Sequence, residues 1–284
     1  MKKLMALLLT GCMLATALVG CGAKQETTTE APVAEEAVEA PVAEEDAGAE
    51  SDLAYVKDKG VLVVGITDFA PMDYKDESGE WIGFDADMAK GFAEKLGVEV
   101  EFVEIDWDNK ILELDGKTVD CIWNGMTLTD EVKAAMDCSN AYCNNAQVVI
   151  VPADKAADYQ TVESLEGLAF AAEAGSAGET EVMALGLECT PVKAQSDALM
   201  EVAAGTSDAA VIDSLMAAAM VGEGTGYADL TYTVGLNSEE YGVGFRKGSD
   251  LVAELNAYFT ESYEAGIMQE CADTYGVAAA LVEQ

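Results

Sequence analysis

The apolar positions divide the 284-residue chain into three stretches with different patterns. Behind Lys2 and Lys3, residues 4–19 form one largely apolar run. Residues 22–50 have no apolar periodicity and no aromatic residue. From residue 51 to the end, short apolar runs alternate with amphipathic segments. Residues 61–66 read as a β-strand closing at Thr67-Asp68, and residues 76–80 as a turn into a second short run at 81–84. A helix follows with Asp85 as its expected cap. Met88, Phe92 and Leu96 recur at i, i+4 and i+8 on one face, and Gly97 ends it. Val98, Val100 and Phe102 alternate with Glu99 and Glu101, the period of a half-buried strand. A helix is expected over 108–114.

The stretch 120–142 carries the most chemistry. Cys121-Ile122-Trp123 suits a buried strand, which Asn124-Gly125 is expected to end at a turn. Thr129 is placed to cap a helix from Asp130 to about Met136, with Asp130 and Glu131 at its positive end. A strand end turning into a helix start beside Thr127 and Thr129 leaves backbone N–H groups for an anion, and ligands of open α/β sheets collect there. An ordinary capped βα turn has the same residues. A second set follows: strands at 148–151, 168–172 and 208–212, a turn at 173–176 into a helix to about 187, and helices at 161–165, 196–204 with Ser196 as its expected cap, and 214–221. Strands at 232–234 and 241–245 and two helices at 250–264 and 267–275 close the chain. Strand–helix alternation over this length predicts an α/β body with largely parallel sheets.

Composition narrows the function. The net charge is −38. Lys2 and Lys3 add two positive charges and residues 22–50 hold nine acids against Lys24, which leaves −32 for residues 51–284. Such a surface repels phosphates and anionic lipid, so no nucleic-acid partner is expected. The first twenty residues have a signal-peptide layout, too short to span a bilayer. They end Leu18-Val19-Gly20-Cys21, similar to the lipobox of bacterial lipoproteins, so Cys21 is the expected lipidation site and residues 22–50 an acidic, disordered tether. Five cysteines remain: Cys121, Cys138, Cys143, Cys189 and Cys271. Cys121 is expected as a buried thiol, and Cys138 and Cys143 are near enough in sequence to bridge. The chain has no His and no CxxC. No metal site, cofactor or His-based catalysis is therefore expected.

The body resembles the family 3 solute-binding proteins, polar amino-acid receptors of ABC importers. The matching pieces are Gly60-Val61-Leu62-Val63-Val64-Gly65, Ala70-Pro71, Gly83-Phe84-Asp85-Ala86-Asp87-Met88, Gly125-Met126-Thr127-Leu128-Thr129, Gly175-Ser176, Asp213 and Tyr241-Gly242-Val243-Gly244-Phe245-Arg246. The resemblance implies a two-lobed, type II periplasmic-binding-protein-like fold with a ligand cleft between the lobes. Residues 51–145 and 242–284 would form one lobe and 146–241 the other, with hinge crossings near 144–147 and 239–242. It also implies a permease and ATPase as partners, an extracytoplasmic lipid-anchored location, and no chemistry on the ligand. No dimerisation signature is present, so a monomer is expected.

Ligand-binding residues follow from the same resemblance. Phe69 and Trp107 occupy the positions of two aromatic walls, suited to stacking or cation–π contact. Gly125 and Thr127 match positions that bond an amino acid's α-groups. Ser176 matches the second lobe's carboxylate-binding helix start, and Asp213 the acid that takes the α-ammonium. Asp68 and Glu173 are further acids near the expected cleft. The family's carboxylate-forking Arg is absent, because Val132 stands at its position. Arg246, the chain's one Arg, lies in a stretch the family treats as structural. Lys133 and Lys110 are nearby cations, both expected as solvated surface. The expected ligand is therefore an amino acid or an ammonium-bearing relative, with an amine lacking a carboxylate as the alternative. A sensory ligand-presenting role and a cyclohexadienyl-dehydratase-like enzyme are the remaining readings, the latter opposed by its need for cationic groups.

Overall fold

The computed structural model describes residues 51–284. The signal peptide, Cys21 and the acidic tether lie outside the described residues. The chain begins α1 (Asp52–Lys59), β1 (Val61–Ile66), β2 (Tyr74–Lys75), β3 (Trp81–Ile82), α2 (Phe84–Leu96) and β4 (Glu99–Glu104). It continues with α3 (Lys110–Asp115), β5 (Cys121–Thr127), α4 (Asp130–Ala135), β6 (Asp137–Cys138) and β7 (Cys143–Asn145). A second group comprises β8 (Gln147–Pro152), β9 (Ala169–Glu173), α5 (Ala177–Ala184), β10 (Glu188–Val192), α6 (Gln195–Ala204), β11 (Ala209–Asp213), α7 (Ser214–Met220) and β12 (Leu230–Gly235). The chain ends with β13 (Glu239–Phe245), α8 (Leu251–Glu264) and α9 (Ile267–Tyr275).

Two large sheets result, in the orders β4-β1-β5-β13-β6 and β10-β9-β11-β8-β12, with β7 also pairing β13, beside a small β2-β3 hairpin. This is the two-lobed α/β architecture expected from the sequence. The sheets are mixed rather than largely parallel. β4, β1 and β5 are mutually parallel, as are β10, β9 and β11; β13 runs against the first set and β8 against the second, while β6 and β7 pair antiparallel with β13 and β12 antiparallel with β8. The chain crosses between sheets at Ala146 and returns between β12 and β13. The two crossings lie side by side, because β7 and β13 pair Asn145 with Glu239 and Cys143 with Tyr241.

β5 is buried on both faces. Trp123 packs on Phe92 of α2 and Phe259 of α8 at ring-centroid distances of 6.3 and 5.6 Å. Ile122 and Met126 turn to a separate apolar cluster with Trp107 and Val132. The edge strands carry their own signatures. β4 keeps its charged alternation at one edge, and β10, with Pro191, lies at an edge where a missing N–H is tolerated. That Pro is why the sequence reading left β10 out.

Four expectations are corrected. Asn124-Gly125 does not end β5, which runs to Thr127. The pair sits where β5 and β13 lose register between Gly242 and Gly244, so it is a bulge inside the strand. Asp85 is not the cap of α2. Gly83 holds that place, and Asp85 points into the core. Ser196 does not cap α6, whose first turn is entered from Ala194. Cys138 and Cys143 do not bridge, and all five described cysteines are free. The two pair with Gly244 and Tyr241 of one strand, a separation of about 10 Å along β13, beyond disulfide reach.

Candidate functional site

A cavity of about 360 Å³ opens between the lobes. The first lobe contributes Phe69, Trp107, Lys110, Gly125, Thr127 and Val132, and the second Glu173, Gly175, Ser176 and Asp213. Of the seven ligand-binding residues chosen from sequence, only Asp68 is outside this lining. It is exposed beside Phe69, and burial, then Glu104, raises its carboxyl.

The ends of β1 and β5 are locked together before they reach the cavity. The Thr67 N–H and Oγ1 donate to Asn124 Oδ1 at 3.0 and 2.7 Å, and Asn124 Nδ2 donates back to the Thr67 carbonyl at 3.1 Å. A tight turn, with the Met72 N–H on the Phe69 carbonyl at 2.8 Å, then presents the Phe69 ring. Gly125 is required behind that ring. Its φ is +53°, and a Cβ there would lie 2.4 Å from Phe69 Cε1. The Gly125 N–H is already used by Asp85 Oδ2 at 2.6 Å. Asp85 also accepts from the Tyr142 hydroxyl at 2.7 Å, and burial pushes its carboxyl up to about 7.

On the opposite wall, Ser176 caps α5 by accepting the Glu179 N–H at 3.1 Å. Gly175 precedes it at φ +71°, close enough that a Cβ would lie 2.8 Å from Asp108 Cα of the other lobe. Lys110 bridges the same gap. Its Nζ donates to the Trp107 carbonyl at 3.2 Å and to the Gly175 carbonyl at 2.9 Å, and lies 4.9 Å from the Trp107 ring centroid. The expectation that Lys110 is solvated surface is therefore wrong: it is 8 % exposed, and burial lowers its pKa. Lys133, by contrast, is exposed and outside the cavity lining. Val132 is buried in the apolar cluster with Trp107, so the position of the absent Arg extends the core to the cavity wall.

A model of the bacterial extracellular solute-binding proteins, family 3, matches residues 62–278. The chain belongs to that family. It is 28 % identical over 279 residues to the arginine-binding extracellular protein ArtP of Bacillus subtilis, covering 95 % of this chain and 96 % of that one. Among solved structures, the P235GK mutant of ArgBP from T. maritima is similar at TM-score 0.75 and 34 % identity, over 79 % of this chain and 99 % of that one. The ancestral amino acid-binding protein AncCDT-1, a precursor of cyclohexadienyl dehydratase, is similar at TM-score 0.73 and 30 % identity, over 79 % and 99 %. These relatives are binding proteins.

In this solute-binding protein the two crossings and the cavity share one polar network, of which the sequence reading named Asp213 and Thr127 as site residues. Asp213 Oδ1 accepts from Gln147 Nε2 at 3.0 Å and the Tyr241 hydroxyl at 2.7 Å, and from Asn145; Oδ2 accepts from Gln195. Glu239 accepts from Asn145, Gln147 and the Thr127 hydroxyl at 2.6, 2.8 and 2.9 Å. Burial, then Glu239, raises the Asp213 carboxyl to about 7. The polar residues Asn144, Asn145 and Gln147, just ahead of the apolar run 148–151, were the available signal. Arg246 is structural here: Nη2 meets Asp52 Oδ1 at 2.9 Å, and Nη1 donates to the Leu114 and Val119 carbonyls at 3.2 and 2.9 Å.

Proposed function

We propose that this protein captures a small amino acid, or a related ammonium compound, outside the cytoplasm and delivers it to the permease of an ABC importer. The observation that carries this reading is the interlobe cavity, with Phe69 and Trp107 on one wall and the buried acids Glu173 and Asp213 on the other. An aromatic wall accepts the body of the ligand, and a buried carboxylate accepts its ammonium. Gly125, Thr127 and Ser176 add polar groups around the same space. Residues 51–145 and 242–284 act as one lobe and 146–241 as the other, closing on the ligand. Cys21 carries the lipid, and the acidic tether lets a monomeric body work at the extracytoplasmic face. The binding-protein relatives support this assignment over catalysis.

A melting screen of the purified protein over the proteinogenic amino acids and their decarboxylated amines tests the reading, because a ligand selective for the folded form raises the midpoint. At least one compound is expected to do so. A flat response across the whole panel sinks the assignment. Retention of a Cys21→Ala chain at the membrane would overturn the anchor.

A further inference from the structure

Two buried ionisable groups in the cavity are left with incomplete hydrogen bonding by the protein itself. Lys110 uses two of its three ammonium donors on the Trp107 and Gly175 carbonyls. Among the described residues no carboxylate approaches its Nζ within the 4.0 Å of an ion pair. Glu173, at the end of β9, is 2 % exposed, and its Oε1 has no hydrogen-bond partner among the described residues. The acid previously expected to bind an ammonium is in the opposite condition. Asp213 already accepts from Asn145, Gln147, Gln195 and Tyr241. β9 and β11 are adjacent parallel strands, paired at Ala210 and Ala171, so Glu173 and Asp213 stand at neighbouring strand ends facing one cavity.

A cation and an acid that line one cavity without closing into an ion pair are the complement of a zwitterion. Leaving either one unmatched in a desolvated site is costly. Val132 supplies no cation from the first lobe's α4, whereas Lys110 reaches the cavity from α3. We propose that Lys110 is the carboxylate anchor of this cleft, in place of the Arg that Val132 replaces, and that Glu173, beside Asp213, receives the ammonium. This rests on the reading of the cleft as an amino-acid site and makes it more specific: the preferred ligand keeps its α-carboxylate, and decarboxylated amines are disfavoured. The sole Arg of the chain is not available for this task, being held by Asp52.

The test is calorimetric titration of the full mature chain with L-arginine, L-histidine, L-lysine and L-glutamine, and with agmatine, histamine and cadaverine, for wild type, Lys110→Met, Lys110→Arg and Glu173→Gln. Circular dichroism and melting curves confirm that each variant is folded. Wild type is expected to prefer an amino acid over its decarboxylated partner by about 100-fold, the scale of a buried charge-assisted contact. Lys110→Met should lose that preference while keeping any amine affinity, and Lys110→Arg should retain it. Glu173→Gln should weaken amino acid and amine alike by about tenfold or more. Undiminished amino-acid binding by folded Lys110→Met overturns the proposal while leaving the receptor assignment intact. So does a wild-type preference for the amine. Absence of binding by every probe removes the amino-acid reading and this proposal together.

Discussion

At the end of β9, burial and then the neighbouring Asp213 push the Glu173 carboxyl up to about 8, with Lys110 pulling the other way. Because this folded value lies above the ordinary 4.5, the folded chain holds a proton that the unfolded chain releases between those pH values. The contribution to stability is therefore fully present below about pH 4.5 and is lost as pH rises towards 8. Glu173→Gln removes that loss. At pH 8 the ligand-free variant is expected to melt higher than wild type, with each kcal/mol recovered worth about 2–4 °C in a body of this size. At pH 4 the two should coincide in scanning calorimetry. The same proton must leave when an ammonium binds, so wild-type affinity should tighten from pH 6 to 8, and Glu173→Gln should flatten that limb. Asp213, raised to about 7 beside Glu239, leaves a residual slope. Phe69, Trp107 and Asp213 were named through the family resemblance of the motifs beside them, and all three line the cavity. Lys110 was not legible in the sequence. Whether a Lys at the start of a helix is surface or cavity depends on how closely the other lobe approaches, and no local pattern encodes that distance.

At the scale of elements, the contact that sets this approach is the turn between β9 and α5 against the segment before α3. Gly175 permits it through its positive φ and missing Cβ, and Lys110 ties it through the Gly175 carbonyl. Gly175→Ala would place a Cβ 2.8 Å from the Asp108 backbone, which the closed arrangement can accept only by moving the lobes apart. The expected result is a larger radius of gyration by small-angle scattering and weaker binding of the amino acid chosen by the melting screen. That loss is about tenfold for each 1.4 kcal/mol removed from closure. Most strands and helices could be read from period and punctuation. The exceptions have local causes: Pro191 disguised β10, and Asn124-Gly125 resembled a strand end while forming a bulge. α1 went unread because it has little apolar patterning; Ser51 caps it and Arg246 fixes it through Asp52.

For the molecule as a whole, that Arg246 contact joins the chain's described start to its last third. Asp52 and Arg246 are 194 residues apart in sequence, and both are nearly buried. Arg246→Met would leave Asp52 without its guanidinium, and about 3–5 kcal/mol of stability should be lost in denaturant titration, with ligand affinity at low denaturant little changed. The path of β13 has a different consequence, concerning the order in which the chain can fold. β13 lies between β5 and β6 in the first sheet yet is the last strand to be made. As the polypeptide emerges, β4, β1 and β5 expose an unpaired strand edge until residue 245 is available. The second sheet needs only the continuous span 147–235 and can be complete by then. The inserted lobe thus becomes a native-like unit first, and the lobe bearing Phe69 and Trp107 waits for the strand that covers β5. An export route that delivers the chain unfolded suits this order, since an edge left open for so long invites pairing with a neighbouring chain.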